Sequence, residues 1–277
     1  MEAKQRALID ALREMRSVIV AYSGGADSAY LAWAAKQALG DQAVAITADS
    51  ASFPESHRRD AEQFARDHEI RHEYIETREF DNPAYVANNP DRCFHCKDEL
   101  FTRLDEVARA RSIAHVIYGV NVDDLGDFRP GQGAAKLHKV KAPLVDAGLT
   151  KAEIRELSKR AGLATWDRPA SACLSSRIPY GTPVTIENVR IVDKGEDAIR
   201  AMGFRQFRVR YHGEIVRIEI AREELSRAMT PEMAREFSAI FKKLGFHYVT
   251  LDLDGYRQGS LNAVLNVLNK DALPVLK

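Results

Sequence analysis

Residues 18–35, "VIVAYSGGADSAYLAWAA", pass from a β-rich apolar run through two glycines into a helical pattern. Glycines directly after a strand permit φ > 0 and let a ligand approach the backbone, so that successive N–H groups form an anion-binding nest. Asp27 and Ser28 then open a helix whose N-terminus adds partial positive charge. Ser23, Gly24, Gly25, Asp27 and Ser28 therefore read as a phosphate cradle. No Gly-Lys-Ser/Thr follows, which excludes the Walker A form, and the third glycine of the dinucleotide fingerprint is missing. A plain capped strand-helix turn is the alternative without a ligand.

Around this junction, "SVIVAYS" (17–23), "AVAITAD" (43–49), "HEYIET" (72–77) and "AHVIYGVN" (114–121) read as strands, with amphipathic helical segments near 27–38, 54–68, 93–111 and 150–161. Near-continuous apolar strands separated by helices imply a doubly wound parallel sheet of the α/β class. The cradle would then lie beyond the carboxyl ends of the strands, where such sheets bind ligands. After about residue 185 a helix, a hairpin turning at His212-Gly213, a second helical run and a last strand suggest a smaller α+β domain on an antiparallel sheet. The expected division is 1–170 and 171–277, with the linker within the Ser-, Pro- and Gly-rich stretch 166–185.

Composition narrows the setting. The 277 residues carry 40 Lys plus Arg against 40 Asp plus Glu, so overall charge argues for neither a nucleic-acid nor a membrane partner. The N-terminus is a charged amphipathic helix without a signal-peptide core, and no long apolar run follows, so a cytoplasmic protein is expected. Three cysteines suit chemistry better than a disulfide framework.

The SGGADS loop resembles that of the ATP pyrophosphatases, which cleave ATP between its α- and β-phosphates and adenylate an oxygen of their substrate. "TADS" (47–50) is similar to the segment that surrounds adenine there, and "GVNVDD" (119–124) to the acidic stretch that serves Mg²⁺ and the phosphates. The resemblance implies ATP contacts at Asp49, Ser50, Gly119 and Asp124 besides the loop, and a catalytic role for Asp27. "WDRPASACLSSRIPYGTPVT" (166–185), "DFRPG" (127–131), "GFRQFRVRYH" (203–212) and "LGFHYVTLDLDGYRQGSLN" (244–262) resemble the ATP-dependent sulfur transferases of nickel-pincer nucleotide synthesis, the LarE family. That likeness implies adenylation of a pyridinium dicarboxylate mononucleotide and its conversion to thiocarboxylates, in a homo-oligomer, a hexamer among relatives. Cys173 matches the position that in single-cysteine members gives up its own sulfur.

"DRCFHCKDEL" departs from those members by adding Cys93 and Cys96. With Cys173 they would hold three irons of a [4Fe–4S] cluster and leave the fourth open to a sulfide taken from a donor. A redox pair, a Cys₃His zinc site through His95, and plain buried thiols stay open. Arg208 and Arg210 project from one strand face and match family arginines placed near the substrate phosphate, with Arg257 and Arg177 as further candidates. Pairing across the hairpin with Glu214 or Glu219 is the competing reading. Glu196 and Glu219 match family carboxylates. A tRNA-thiolating enzyme, an amide-forming synthetase and an ATP-sensing module are the other classes. The first normally adds an RNA-binding domain or zinc-ribbon cysteines, and the other two need no thiols.

Overall fold

A computed structural model of the chain describes residues 1–126, 130–169 and 172–257. The resemblances at 127–129, 170–171 and 258–262 lie outside the described residues. The described chain divides into two units, one built from residues 1–85 and 91–169, the other from 86–90 and 172–257.

In the first unit the helices are α1 (Glu2–Met15), α2 (Ala26–Leu39), α3 (Glu55–Asp67), α4 (Pro83–Val86, ending in the second unit), α5 (Arg92–Ala110), α6 (Gly131–Leu137), α7 (Pro143–Asp146) and α8 (Lys151–Arg160). The strands β1 (Val18–Ala21), β2 (Ala43–Asp49), β3 (His72–Glu76) and β4 (His115–Tyr118) form one parallel sheet in the order β3-β2-β1-β4. The expected doubly wound α/β fold is present. Val18 and Val20 face a core shared with α1, α2 and α8, whereas Ile19 and Ala21 face the one made with α5 and α6. Burial on both faces explains why β1 is apolar throughout rather than alternating. β2 and β3 lie to one side of β1 and β4 to the other, so the connections after β1 and β4 diverge at the point where strand order reverses. No described helix is long and apolar enough to cross a membrane.

The second unit comprises α9 (Ile186–Ala201), β5 (Phe207–His212), β6 (Ile215–Ile220), α10 (Arg222–Ala228), α11 (Pro231–Lys243) and β7 (Tyr248–Leu251). β5 and β6 pair as the expected antiparallel hairpin, but β7 runs parallel to β6, so the sheet is mixed and not antiparallel throughout. The reason is the connection: α10 and α11 form a crossover that returns the chain to the start of β6. The single helical run expected here is broken in two, because Thr230 caps a new helix with Pro231 in its first turn.

Residues 86–90 enter the second unit through Asn88. Its side-chain amide donates to the carbonyls of Ile178 (3.3 Å), Pro179 (2.8 Å) and Thr182 (2.8 Å), and Val184 N donates to Val86 O at 2.9 Å.

Candidate functional site

In the first unit the loop after β1 closes on a hydroxyl. Ser28, 4% exposed, donates from Oγ to Gly25 O at 3.0 Å, accepts from Ser23 N at 3.3 Å and lies 3.1 Å from Ser23 Oγ. Gly24 takes φ +72°, a left-handed conformation that glycine adopts without strain. Gly25 is the N-cap of α2 and no side chain caps that end, so the first amides of the helix are left to a ligand or to water. Arg168 braces the loop from outside, donating to Gly24 O at 2.7 Å and pairing with Asp60 at 2.8 Å, and Arg155 holds Arg168 through its carbonyl at 2.7 Å.

The loop after β4 comes against the same helix end. A Cβ on Gly119 would stand 2.7 Å from Ser28 N and Cα, so only glycine permits this approach. Asn121, fully buried, joins the two acids: its Nδ2 donates to Asp27 Oδ2 at 3.2 Å and its N donates to Asp124 Oδ2 at 3.2 Å. Its Oδ1 accepts from Asp123 N at 2.9 Å, an Asx turn that sets the loop. Burial holds the Asp27 carboxyl above its ordinary value, Lys151 opposes the rise, Asp124 adds to it and Asn121 opposes it. Asp27 Oδ1 is buried without a hydrogen-bond partner among the described residues. That orphaned acceptor, next to Asp124 and an uncapped helix end, suits a divalent cation carrying phosphates.

The remaining nucleotide candidates lie at the carboxyl end of β2. Asp49 is exposed and pairs with Arg58, and Ser50 donates its hydroxyl to Glu79. Cys93, exposed, and Cys96, half-buried, stand one turn apart at the start of α5, with His95 3.4 Å from Asp91. Among the described residues no group of three or more His, Cys, Asp or Glu side chains is assembled as a metal site. As donors, three thiols match the soft sulfur ligation that iron-sulfur clusters use.

In the second unit Cys173, half-buried, caps the 3-10 turn Leu174–Arg177. Arg177 is 1% exposed and turned inward, forked onto Glu196 at 2.8 and 3.0 Å, with Nη1 on Ala172 O (2.8 Å), Cys173 O (3.1 Å) and Ser176 Oγ (2.9 Å). This placement holds the Cys173 turn and does not present a fork to solvent. Burial alone would raise the Glu196 carboxyl, and Arg177 outweighs it and keeps Glu196 low.

Arg210 pairs with Glu219 at 2.8 Å and donates to Ser176 O at 2.9 Å, and Arg217 reaches Glu219 at 3.1 Å. The cross-hairpin pairing therefore exists for Arg210. Arg208 lies with its guanidinium 4.8 Å from the Tyr256 ring centre. Burial and the nearby Arg177 disfavour its charge, and Glu196 and Tyr256 favour it without restoring the ordinary value. Arg257 is half-exposed on an ion pair with Asp254 at 3.0 Å. Asn121, Arg168 and Arg155 are site residues beyond those expected from the sequence. The Asn before a pair of acids was the available signal for the first, and the others act only through tertiary contacts.

The pattern of the NAD synthase family matches residues 5–125. A pyridinium-3,5-bisthiocarboxylic acid mononucleotide synthase of Lactiplantibacillus plantarum is 32% identical over 267 residues, 96% of each chain. The chain belongs to this synthase family. An uncharacterised member-like protein of Synechocystis is 42% identical over 265 residues, 96% of this chain and 99% of its own. One from Methanocaldococcus jannaschii is 26% identical over 242 residues, 87% of this chain and 91% of its own. In the synthase family's terms, the first unit supplies an ATP-pyrophosphatase type of sheet and loop, and the second supplies the arginine-glutamate cluster beside Cys173.

Proposed function

We propose that this chain is an ATP-dependent sulfur transferase of nickel-pincer cofactor synthesis, which adenylates the carboxylates of a pyridinium-3,5-dicarboxylate mononucleotide and converts them to thiocarboxylates. The observation that carries this reading is the full-length likeness to the Lactiplantibacillus synthase, whose name states that product. The cradle after β1 supports it chemically.

The Ser23–Ser28 amides and the α2 N-terminus receive the ATP phosphates, with Asp27 and Asp124 as the residues that would hold Mg²⁺. Asp49, Ser50 and Gly119 complete the nucleotide contacts, the last by close approach of backbone. Mg²⁺, when bound, offsets the phosphate charge and stabilises departing pyrophosphate. A substrate carboxylate oxygen attacks the α-phosphorus, the α–β bridge breaks, and an acyl-adenylate forms. Sulfur then attacks the acyl carbon and AMP leaves with the bonding pair, a displacement that a free carboxylate does not permit because oxide is a poor leaving group. Arg208, with Arg257, orients the mononucleotide through its phosphate, while Arg210 is held by Glu219 and braces the Ser176 carbonyl. Arg177 and Glu196 hold the Cys173 turn. Cys93, Cys96 and Cys173 are the residues that would hold a [4Fe–4S] cluster, which when bound would supply an exogenous sulfide. A cytoplasmic homo-oligomer fed by a sulfide donor belongs to the same reading.

Wild-type protein, reconstituted anaerobically with iron and sulfide, should convert ATP to AMP and pyrophosphate only with the mononucleotide present. Formation of ADP and phosphate would end the pyrophosphatase assignment. Repeated turnover at unchanged intact mass, lost in each Cys→Ala variant, supports the cluster. A single turnover with a mass loss of about 34 Da, that of H₂S, assigns the sulfur to Cys173 itself.

A further inference from the structure

Ser50 stands at the end of β2, at the nucleotide end of the sheet, yet its hydroxyl is engaged inside the protein. Phe53 N donates to Ser50 O at 3.0 Å, and Ser52 N donates to Ser50 Oγ at 3.0 Å, so residues 50–53 form a turn locked by a side chain. Ser50 Oγ and Ser52 Oγ lie 2.9 Å apart, and both donate to one atom, Glu79 Oε1, the second at 3.3 Å. Glu79 opens the 3-10 turn Glu79–Asp81 beyond β3, which pairs directly with β2.

The carboxyl is an expensive way to hold a turn. Glu79 is 2% exposed, and its Oε2 is buried with no hydrogen-bond partner among the described residues. A buried acceptor left unsatisfied costs the desolvation that a well-packed apolar group would avoid. Such cost is tolerated where geometry serves a site. The turn it fixes begins at the carboxyl end of β2, beside the crevice where doubly wound sheets take their ligands.

We propose that Glu79 is a positioning residue for ATP, acting through Ser50 and Ser52 to hold the 49–53 backbone in the conformation that receives the nucleotide. It touches neither the triphosphate nor the mononucleotide. This inference rests on the ATP-dependent reading given above.

Glu79→Ala in the full chain should raise the KM for ATP about tenfold or more while kcat and the KM for the mononucleotide stay within about twofold. Ser52→Ala removes one of the two hydroxyls and should give a smaller rise. Glu79→Gln keeps the shape and one acceptor oxygen, so it should fall between wild type and Glu79→Ala, and it serves if the alanine variant does not fold. An ATP KM within about twofold of wild type in both Glu79 variants would overturn the assignment, as would equal rises for ATP and the mononucleotide. Calorimetric titration with ATP separates the two levels. Wild type that binds no ATP removes the functional reading, whereas wild type and Glu79→Ala binding ATP equally well removes only the role of Glu79.

Discussion

Asp27 sits among conflicting demands. Its burial and the nearby Asp124 disfavour the charge that the proposed Mg²⁺ site would need, and one carboxyl oxygen has no hydrogen-bond partner among the described residues. A carboxyl whose folded pKa is raised binds its proton more tightly native than unfolded, so stability is lost as the pH rises from its ordinary value of 3.8 through the folded one, and the loss is constant above that. Asp27→Asn should therefore melt above wild type near pH 7, the gap closing as the pH falls toward the ordinary value, while substrate-dependent pyrophosphate release disappears. Calorimetric melting across pH and a pyrophosphate assay check both halves. A variant that melts lower at neutral pH would show that the carboxylate stabilises the fold and is not held there at a cost. The cradle residues were legible because glycine and hydroxyl spacing is a local property of the chain. Asn121 and Arg168 were not, since each acquires its role from a partner, Asp27 and Gly24, 94 and 144 positions away.

Among the elements, α5 and α6 are tied by one imidazole. His138, at the end of α6, lies with Nδ1 2.8 Å from Asp105 and Nε2 2.9 Å from Asp98, two carboxylates seven apart on one face of α5. Burial lowers the affinity of His138 for its proton, but the bonds to Asp105 and Asp98 outweigh it and hold the imidazolium above 6.5, the ordinary value. The stabilisation is complete below that value and is lost as the pH rises through the folded one. His138→Gln should lower the melting temperature at pH about 6 and leave it nearly unchanged at pH about 9. A pH-independent loss would assign His138 a packing role against Phe101, whose ring centre is 6.1 Å away. The strands of the large sheet could be read from sequence because both faces are buried and the runs are apolar. The direction of β7 could not be read from its own residues. It follows from the length of chain in α10 and α11, a property of the connection.

At the scale of the whole molecule, the second unit is discontinuous in sequence. Asn88 is fully buried and takes φ +56°, a left-handed conformation that asparagine tolerates better than most side chains. Asn88→Ala removes three donated bonds and strains the backbone, which should cost the second unit about 2–4 kcal/mol. Hydrogen exchange is the test: protection should fall at Val209 and Ile218 in β5 and β6 and hold at Ile19 and Ala45 in β1 and β2. An even loss across both sheets would mean that the two units open together. No composition shift marks residues 86–90 as belonging elsewhere, because a single amide making contacts 90, 91 and 94 residues away leaves no local trace.

The same loop sets an order of events during synthesis. The ribosome delivers residues 86–90 long before Ile178, Pro179, Thr182 and Val184, whose backbones hold them, and at usual elongation rates those 90 or so positions take roughly 5–20 seconds. The β1–β4 sheet has all its strands well before then, but the segment between Tyr85 and α5 still lacks these four backbone partners. A nascent chain should therefore be cut by protease at 86–90, upstream of Cys93 and Cys96, more readily before residues 178–184 are made than after, when Asn88 and Val86 gain their bonds to them.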